Sequence, residues 1–207
     1  MVRPVARRTI ENAVRRRGFS RVAGVDEVGR GSLAGPVVAA AVVLDSDRHV
    51  PGVRDSKLLT PTAREYLYDQ IVSAATGWGI ALVGPKVIDR VNIHRATLTA
   101  MREAVMDLVP PPDFVLVDGF RIPDLLLPQR ALVGGDRRCA AIAAASIVAK
   151  VTRDRYMRML HDRDPRYGFD QHKGYATPGH LAALGRYGYS VVHRRSFRPS
   201  VLSDTLG

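Results

Sequence analysis

The stretch Gly24-Val25-Asp26-Glu27-Val28-Gly29-Arg30-Gly31 sets two adjacent carboxylates inside an apolar run. Burying a charge is costly unless something pairs with it. The next cation is Arg30, and a glycine flanks it on each side. Gly29, Gly31 and Gly35 let the backbone bend and approach a ligand closely. Apolar strand, acidic pair and glycine-flanked arginine together point to a hard metal ion held beside a polyanion. Two further carboxylates stand where such an ion would need them. Asp118 closes the apolar run Phe114-Val115-Leu116-Val117, and open α/β sheets place their ligands at the carboxyl ends of strands. Asp136 stands between a weaker strand and the start of a long helix, where a plain N-cap is the competing reading. Converging carboxylates repel one another, and a divalent cation removes that repulsion. With oxygen ligands only, and no Cys or His cluster, the choice falls to Mg²⁺ or Mn²⁺. Two such ions would acidify an attacking water and stabilise a leaving 3′ oxygen, which is phosphodiester hydrolysis. No general-base histidine is needed, and His94, His172 and His180 read as ordinary polar positions. One geometric difficulty stands. Adjacent strand residues point to opposite faces, so either the strand bends at Glu27, helped by Gly29, or Glu27 comes in from the sheet edge.

Further candidates lie outside the acidic set. Lys57 sits on a polar loop, where a solvated lysine is the alternative. Ser146, Lys150 and Arg153 have helical spacing, so one helix face could meet a phosphate; equally, Lys150 could pair with Asp154 four residues on. Tyr175 lies between Gly174 and Ala176, which suits a platform for a sugar or base, or a turn tyrosine that closes the core.

The elements that must position these residues follow from periodicity. Val22–Val28 and Val37–Leu44 read as strands of an antiparallel pair joined by a glycine loop. Residues 45–60 are polar and turn-rich. Thr60 before Pro61 marks a helix start, and that helix runs to about Ala75. Trp78–Val83 is a third strand, Pro85 opens a connection, and Asn92–Leu108 is a helix ended by Pro110-Pro111-Pro112. Phe114–Val117 is a strand covered on both faces, and Arg130–Val133 is a weaker fifth. Cys139–His161 is a long helix whose first half is almost all small residues, fit to pack close to a sheet. Residues 162–178 read as a loop, Pro178–Tyr187 as a short helix, and residues 191–207 show little pattern. Residues 3–17 hold Arg3, Arg7, Arg8, Arg15, Arg16 and Arg17, with Ile10 and Val14 spaced for a short helix. One α/β domain with a mixed sheet is expected over residues 1–207, with a basic segment at 1–20 and a tail at 188–207.

Composition narrows the partners. The 207 residues carry a net charge of +11, from 31 Lys+Arg against 20 Asp+Glu. Only Lys57, Lys86, Lys150 and Lys173 are lysines; the other cations are arginines, the residue suited to bidentate phosphate contact. A chain so basic suggests nucleic acid or an anionic surface. No apolar run is long enough to span a membrane, and residues 1–8 lack the apolar core of a secretory signal. The single cysteine, Cys139, excludes an internal disulfide and a cysteine-rich zinc site. A cytoplasmic protein is the expectation.

Gly24 to Pro36 resembles the opening motif of the ribonuclease HII family. The likeness continues at Asp55-Ser56-Lys57-Leu58, at residues 92–98 (Asn-Ile-His-Arg-Ala-Thr-Leu), at Val117-Asp118-Gly119, at Gly135-Asp136, along residues 143–154 and at His172-Lys173-Gly174-Tyr175. It spans roughly residues 22–199. Departures are Val28 for a usual alanine, Gly134 for a usual lysine, and Arg137, Arg138 and Cys139 where small residues and a serine are commoner. The resemblance implies a ribonuclease H-like fold, a five-stranded mixed sheet flanked by helices. It implies an endonuclease that cuts RNA strands in RNA–DNA hybrids and on the 5′ side of single ribonucleotides in duplex DNA, in ribonucleotide excision repair. It implies Asp26, Glu27, Asp118 and Asp136 as ligands of Mn²⁺ or Mg²⁺. It implies Gly29, Arg30, Gly31, Lys57 and Tyr175 as substrate contacts, with Tyr175 against the RNA-to-DNA junction, and it favours a bend at Glu27; Ser146 and Lys150 join them as substrate-contact candidates on their helical spacing. A working monomer is expected. Two other readings compete: a catalytically silent nucleic-acid-binding domain, against which the intact acidic set argues, and a resolvase- or transposase-like DNA cutter, against which Gly29-Arg30-Gly31 and Tyr175 argue.

Overall fold

The computed structural model describes Ala6 and residues 8–197. Arg3 and Arg7, and the last ten residues of the tail, lie outside the described residues. The chain runs α1 (Thr9–Arg15), β1 (Val22–Val28), β2 (Val37–Leu44), α2 (Pro61–Ala74), β3 (Ala75–Val83), α3 (Pro85–Val91) and α4 (Ile93–Met106). It continues with β4 (Phe114–Asp118), β5 (Gln129–Leu132), α5 (Ala140–Arg163), α6 (Phe169–His172) and α7 (Pro178–Tyr187). The five strands form one mixed sheet in the order β3-β2-β1-β4-β5. β1–β2 and β2–β3 pair antiparallel, while β1–β4 and β4–β5 pair parallel.

Helices cover both faces, which is why β2 is buried at all eight positions instead of alternating. Val22, Val38, Ala40, Val42 and Leu116 pack towards α5 and α2. Ala23, Val25, Val37, Ala39, Val115 and Val117 pack on the other face, towards α4. The small residues of α5 do what their size allows. A Cβ on Gly24 would lie 2.1 Å from the backbone carbon of Ala141, so helix and strand approach until only a glycine fits. Thr60 caps α2, accepting from the Ala63 amide at 3.2 Å, with Pro61 at the first helical position. Asn92 caps α4 by accepting from the Arg95 amide at 3.0 Å.

Three expectations are corrected. The residues after Pro85 form α3, not a plain connection; the turn is short and lacks a side-chain cap, so little in the sequence announces it. β3 begins at Ala75, where the strand follows α2 with no loop between. The stretch 162–178 contains a 3₁₀ turn (Pro165–Tyr167) and α6, pinned by stacked Tyr167 and Phe169 with ring centroids 5.4 Å apart.

Candidate active site

β1 and β4 lie side by side and parallel, and their ladder ends at Val25↔Val117. Asp26 is the next residue on one strand and Asp118 on the other. By alternation both belong to the α5 face, with Val22 and Leu116. Glu27 starts on the opposite face, yet Asp26, Glu27 and Asp118 each present a carboxylate oxygen within 4.8 Å of the others. No β-bulge accompanies this, because the β1–β2 register runs unbroken through Val28↔Val38. The β1–β4 ladder stops at Val25↔Val117, one residue short of Asp26 and Asp118.

The site is short of positive charge. Asp26 is 5% exposed, and burial pushes its carboxyl well above the usual carboxylate range, with repulsion from Glu27 and Asp118 adding to the rise. Two donors oppose that rise: the Glu27 amide, 2.7 Å from Asp26 Oδ1, and the Ser146 hydroxyl. Burial also raises Glu27; Arg30, 3.4 Å away, opposes this and Asp118 reinforces it. Asp118 Oδ1 accepts from the Gly135 amide at 2.7 Å, which ties β4 to the turn carrying Asp136. Three oxygen donors sharing one arginine fit a hard divalent cation, and among the described residues no sulfur or nitrogen ligand joins the group.

The remaining candidates fall into place around this trio. Asp136 is not a member of the close group. It is buried beside it, its carboxyl raised by burial and by Asp55 and Asp118 and lowered by Lys57 and Arg137. Lys57 is exposed on a 3₁₀ turn, where its amide donates to Asp55. Ser146 does not face solvent; it sits between Asp26 and Ser56, whose hydroxyl oxygen is 2.9 Å from its own. Ser146 therefore orients a carboxylate. Lys150 pairs with Asp154 at 2.7 Å, the local pairing that its spacing allows. Arg153 is fully buried and donates to the carbonyls of Ala34, Pro36 and Lys173, so it is not on a phosphate-facing surface. Gly29 has φ +90, and a Cβ there would lie 2.2 Å from Arg153 Nε, so the glycine is required twice over. Gly31 has nothing within 4 Å of where a Cβ would be, which leaves its backbone open to a ligand. Tyr175 is 36% exposed, with the Arg153 guanidinium carbon 5.5 Å from its ring centre. Of the departures, Gly134 adopts a left-handed conformation that glycine holds without strain, and Arg137 lies 3.7 Å from Asp55.

Residues around this site carry no signal in the sequence pattern. Arg194 and His193, from the stretch that reads as patternless, are buried against the Gly29–Gly35 loop. The partners of Arg194 are backbone groups far along the chain, which periodicity does not report. His180 is buried too, not an ordinary polar position, and its Nε2 lies 3.0 Å from that of His193.

A five-stranded mixed sheet in this order, with carboxylates gathered at the ends of its central parallel pair, defines a nuclease of the ribonuclease H-like α/β class. The family model for ribonuclease HII matches residues 23–200. The ribonuclease HII of Caldicellulosiruptor bescii is 49% identical over 194 residues, 94% of this chain and 94% of that protein. The ribonuclease HII of Geobacillus thermodenitrificans is 54% identical over 182 residues, 88% of this chain and 70% of that protein. The crystal structure of ribonuclease H2 from Pyrococcus horikoshii OT3 superposes with a TM-score of 0.74 at 28% identity, covering 89% of this chain and 96% of that one. The chain belongs to the ribonuclease HII family. It is a ribonuclease H-type endonuclease that acts on RNA–DNA hybrids. Among the described residues no helix is long and apolar enough to cross a membrane.

Proposed function

We propose that the chain hydrolyses the RNA strand of hybrids and also cuts on the 5′ side of single ribonucleotides embedded in duplex DNA, leaving a 3′ hydroxyl and a 5′ phosphate. The observation that carries this reading is the oxygen-only trio Asp26, Glu27 and Asp118, gathered beside the open backbone at Gly31. Asp26, Glu27 and Asp118, with Asp136 beside them, would hold Mg²⁺ or Mn²⁺. When bound, two such ions make an attacking water more acidic and stabilise the departing 3′ oxygen.

The chain's own residues do the rest. Ser146 and the Glu27 amide hold Asp26 in one orientation, and the Gly135 amide holds Asp118. Arg30 opposes the rise that burial imposes on Glu27 and adds a cation beside the acidic trio. A single ribonucleotide differs from its neighbours only by a 2′ hydroxyl. Gly29-Arg30-Gly31 offers backbone groups to sense it, next to the acidic trio. Tyr175 stacks on the following sugar, which must be the slimmer deoxyribose, and so reads the RNA-to-DNA junction. Lys57 is placed to meet the phosphate backbone near Asp136. We further read residues 1–207 as one catalytic domain that works as a monomer in the cytoplasm, in ribonucleotide excision repair.

The test is cleavage of labelled duplexes carrying zero, one or four ribonucleotides, with and without Mn²⁺ or Mg²⁺. Cutting at the single ribonucleotide, only with metal, is expected, and Asp118→Asn should abolish it while keeping the fold. Cleavage of the all-DNA duplex, or near-normal turnover of Asp118→Asn, would overturn the reading.

A further inference from the structure

Arg153 and Arg194 are both fully buried, and neither pairs with a carboxylate among the described residues. A buried cation without a counter-ion is expensive unless every donor is satisfied. Backbone carbonyls accept from all three guanidinium nitrogens of each. Arg194 Nη2 donates to Gly29 O at 2.7 Å, Nη1 to Arg30 O at 2.9 Å and Nε to Gly35 O at 3.0 Å. Its own amide donates to Leu33 O at 2.8 Å, and the Gly35 amide donates to Val192 O at 2.8 Å. A planar fork thus spans most of the loop that follows β1.

The direction of these bonds has a consequence for the peptide planes. In a trans peptide the carbonyl and the next N–H point opposite ways. With the carbonyls of Gly29 and Arg30 drawn inward to Arg194, the N–H groups of Arg30 and Gly31 are turned away from it. Neither N–H has a partner among the described residues. Two donors are therefore aimed off the protein beside Glu27, at a glycine with open space around it.

The neighbouring residue leads to the other substrate loop. The Ser190 amide donates to His193 Nδ1 at 3.0 Å, so the proton of His193 is on Nε2, which faces His180 Nε2 at 3.0 Å. His180 must accept there, and its Nδ1–H then donates to Tyr175 O at 2.9 Å. A directed chain runs from Ser190 through two neutral imidazoles to the Tyr175 turn. The same turn meets the glycine loop directly, since the Leu33 amide donates to Gly174 O at 2.8 Å.

We propose that residues 192–194 are a common anchor for the two loops that read the substrate, with Arg194 the positioning residue that presents the Arg30 and Gly31 amides and His193 the one that sets Tyr175. The proposal rests on the reading of those loops given above. Arg194→Lys keeps a buried cation but cannot span three carbonyls. It should lower cutting at a single ribonucleotide at least tenfold relative to cutting of an all-RNA strand in a hybrid. A purely structural defect would lower both together. Amide hydrogen exchange without substrate should rise in residues 29–35 of Arg194→Lys, and in residues 172–177 but not 29–35 of His193→Gln. Unchanged exchange in both loops of both variants overturns the anchor, and so does increased exchange with an unchanged cutting ratio. Failure of the parent protein to cut the single-ribonucleotide duplex would instead overturn the proposed function, while the exchange measurement still decides the anchor. If Arg194→Lys does not fold, the loop-selective response of His193→Gln decides it alone.

Discussion

Asp26 is the residue whose charge the fold tolerates least and the chemistry needs most. Its carboxyl is raised by burial first, then by Glu27 and Asp118. The folded protein therefore holds that proton more tightly than the unfolded chain. Stability falls as the pH rises above about 4, where the unfolded carboxyl ionises, and keeps falling until the pH passes the folded value. A bound divalent cation cancels the repulsion and reverses the order. In metal-free buffer at pH 7.5, Asp26→Asn should melt above the parent protein. With saturating Mg²⁺ or Mn²⁺ the parent should gain and overtake it. Cleavage by the variant should fall by more than ~100-fold, since even residues behind a ligand cost ~10–100-fold. Melting temperatures indifferent to metal in both proteins would remove the trio as a metal site. Tyr175 carries the second prediction at this scale. Stacking on the sugar needs the ring and not the hydroxyl, and the ~1–3 kcal/mol of a base on an aromatic ring sets the scale. Tyr175→Ala should lose on the order of tenfold to a hundredfold in single-ribonucleotide cutting, and Tyr175→Phe should keep much of it. Equal rates for Tyr175→Ala and the parent would end the junction-sensing role.

Among the elements, the contact between β1 and α5 sets the geometry of the site. Gly24 is two residues before Asp26 on the same face, and α5 brings Ser146 to that carboxylate. A Cβ at Gly24 would lie 2.1–2.5 Å from backbone atoms of Ala141 and Ile142, which cannot step aside as a side chain would. Gly24→Ala should cost about 3 kcal/mol or more, at the upper end of overpacking, read as a lowered denaturation midpoint with reduced cleavage. A variant as stable as the parent would mean that helix and strand can part without penalty. Glu11 adds to the same contact from α1. It is buried and accepts from the Ala141 amide at 2.7 Å, at the start of a helix whose N-cap residue, Cys139, makes no side-chain capping bond. The strands β1 and β2 and the helix α7 are legible in the sequence to the residue, because apolar runs end there at Gly, Pro or Asp. The acidic trio is legible too, since carboxylates at the ends of apolar runs have few bland explanations. Glu27's membership of the trio is not, because strand alternation alone turns it to the opposite face. Nor are Glu11 and Arg194, whose partners are backbone groups 130 and about 160 residues away. A residue that bonds main-chain atoms leaves no periodic trace and no complementary charge to look for.

Taken whole, the molecule sets its cations to two uses. Exposed arginines suit the phosphates of a duplex, whereas Arg153 and Arg194 are spent inside, holding loops. His180 and His193 are likewise internal, and they set how the molecule answers acid. His180 and His193 are each lowered to about 4, by burial first, against an ordinary value near 6.5. In the folded protein both are neutral, as their directed hydrogen bonds require: His180 Nε2 accepts from His193, and a proton there would leave two donors facing each other. The unfolded chain binds protons on both rings once the pH falls below about 6.5. Their contribution to stability is therefore complete above pH 6.5 and is lost as the pH falls towards about 4, by an amount on the order of a few kcal/mol for the pair. Asp26 acts in the opposite direction in the absence of metal, so the cleaner comparison is made in the Asp26→Asn background. There, denaturation midpoints should decline steadily between pH 6.5 and 4.5. Adding His180→Gln, which cannot titrate, should flatten that slope whatever it does to the midpoint at pH 7.5. A slope that His180→Gln leaves unchanged would show that the buried imidazoles are not what acid attacks first.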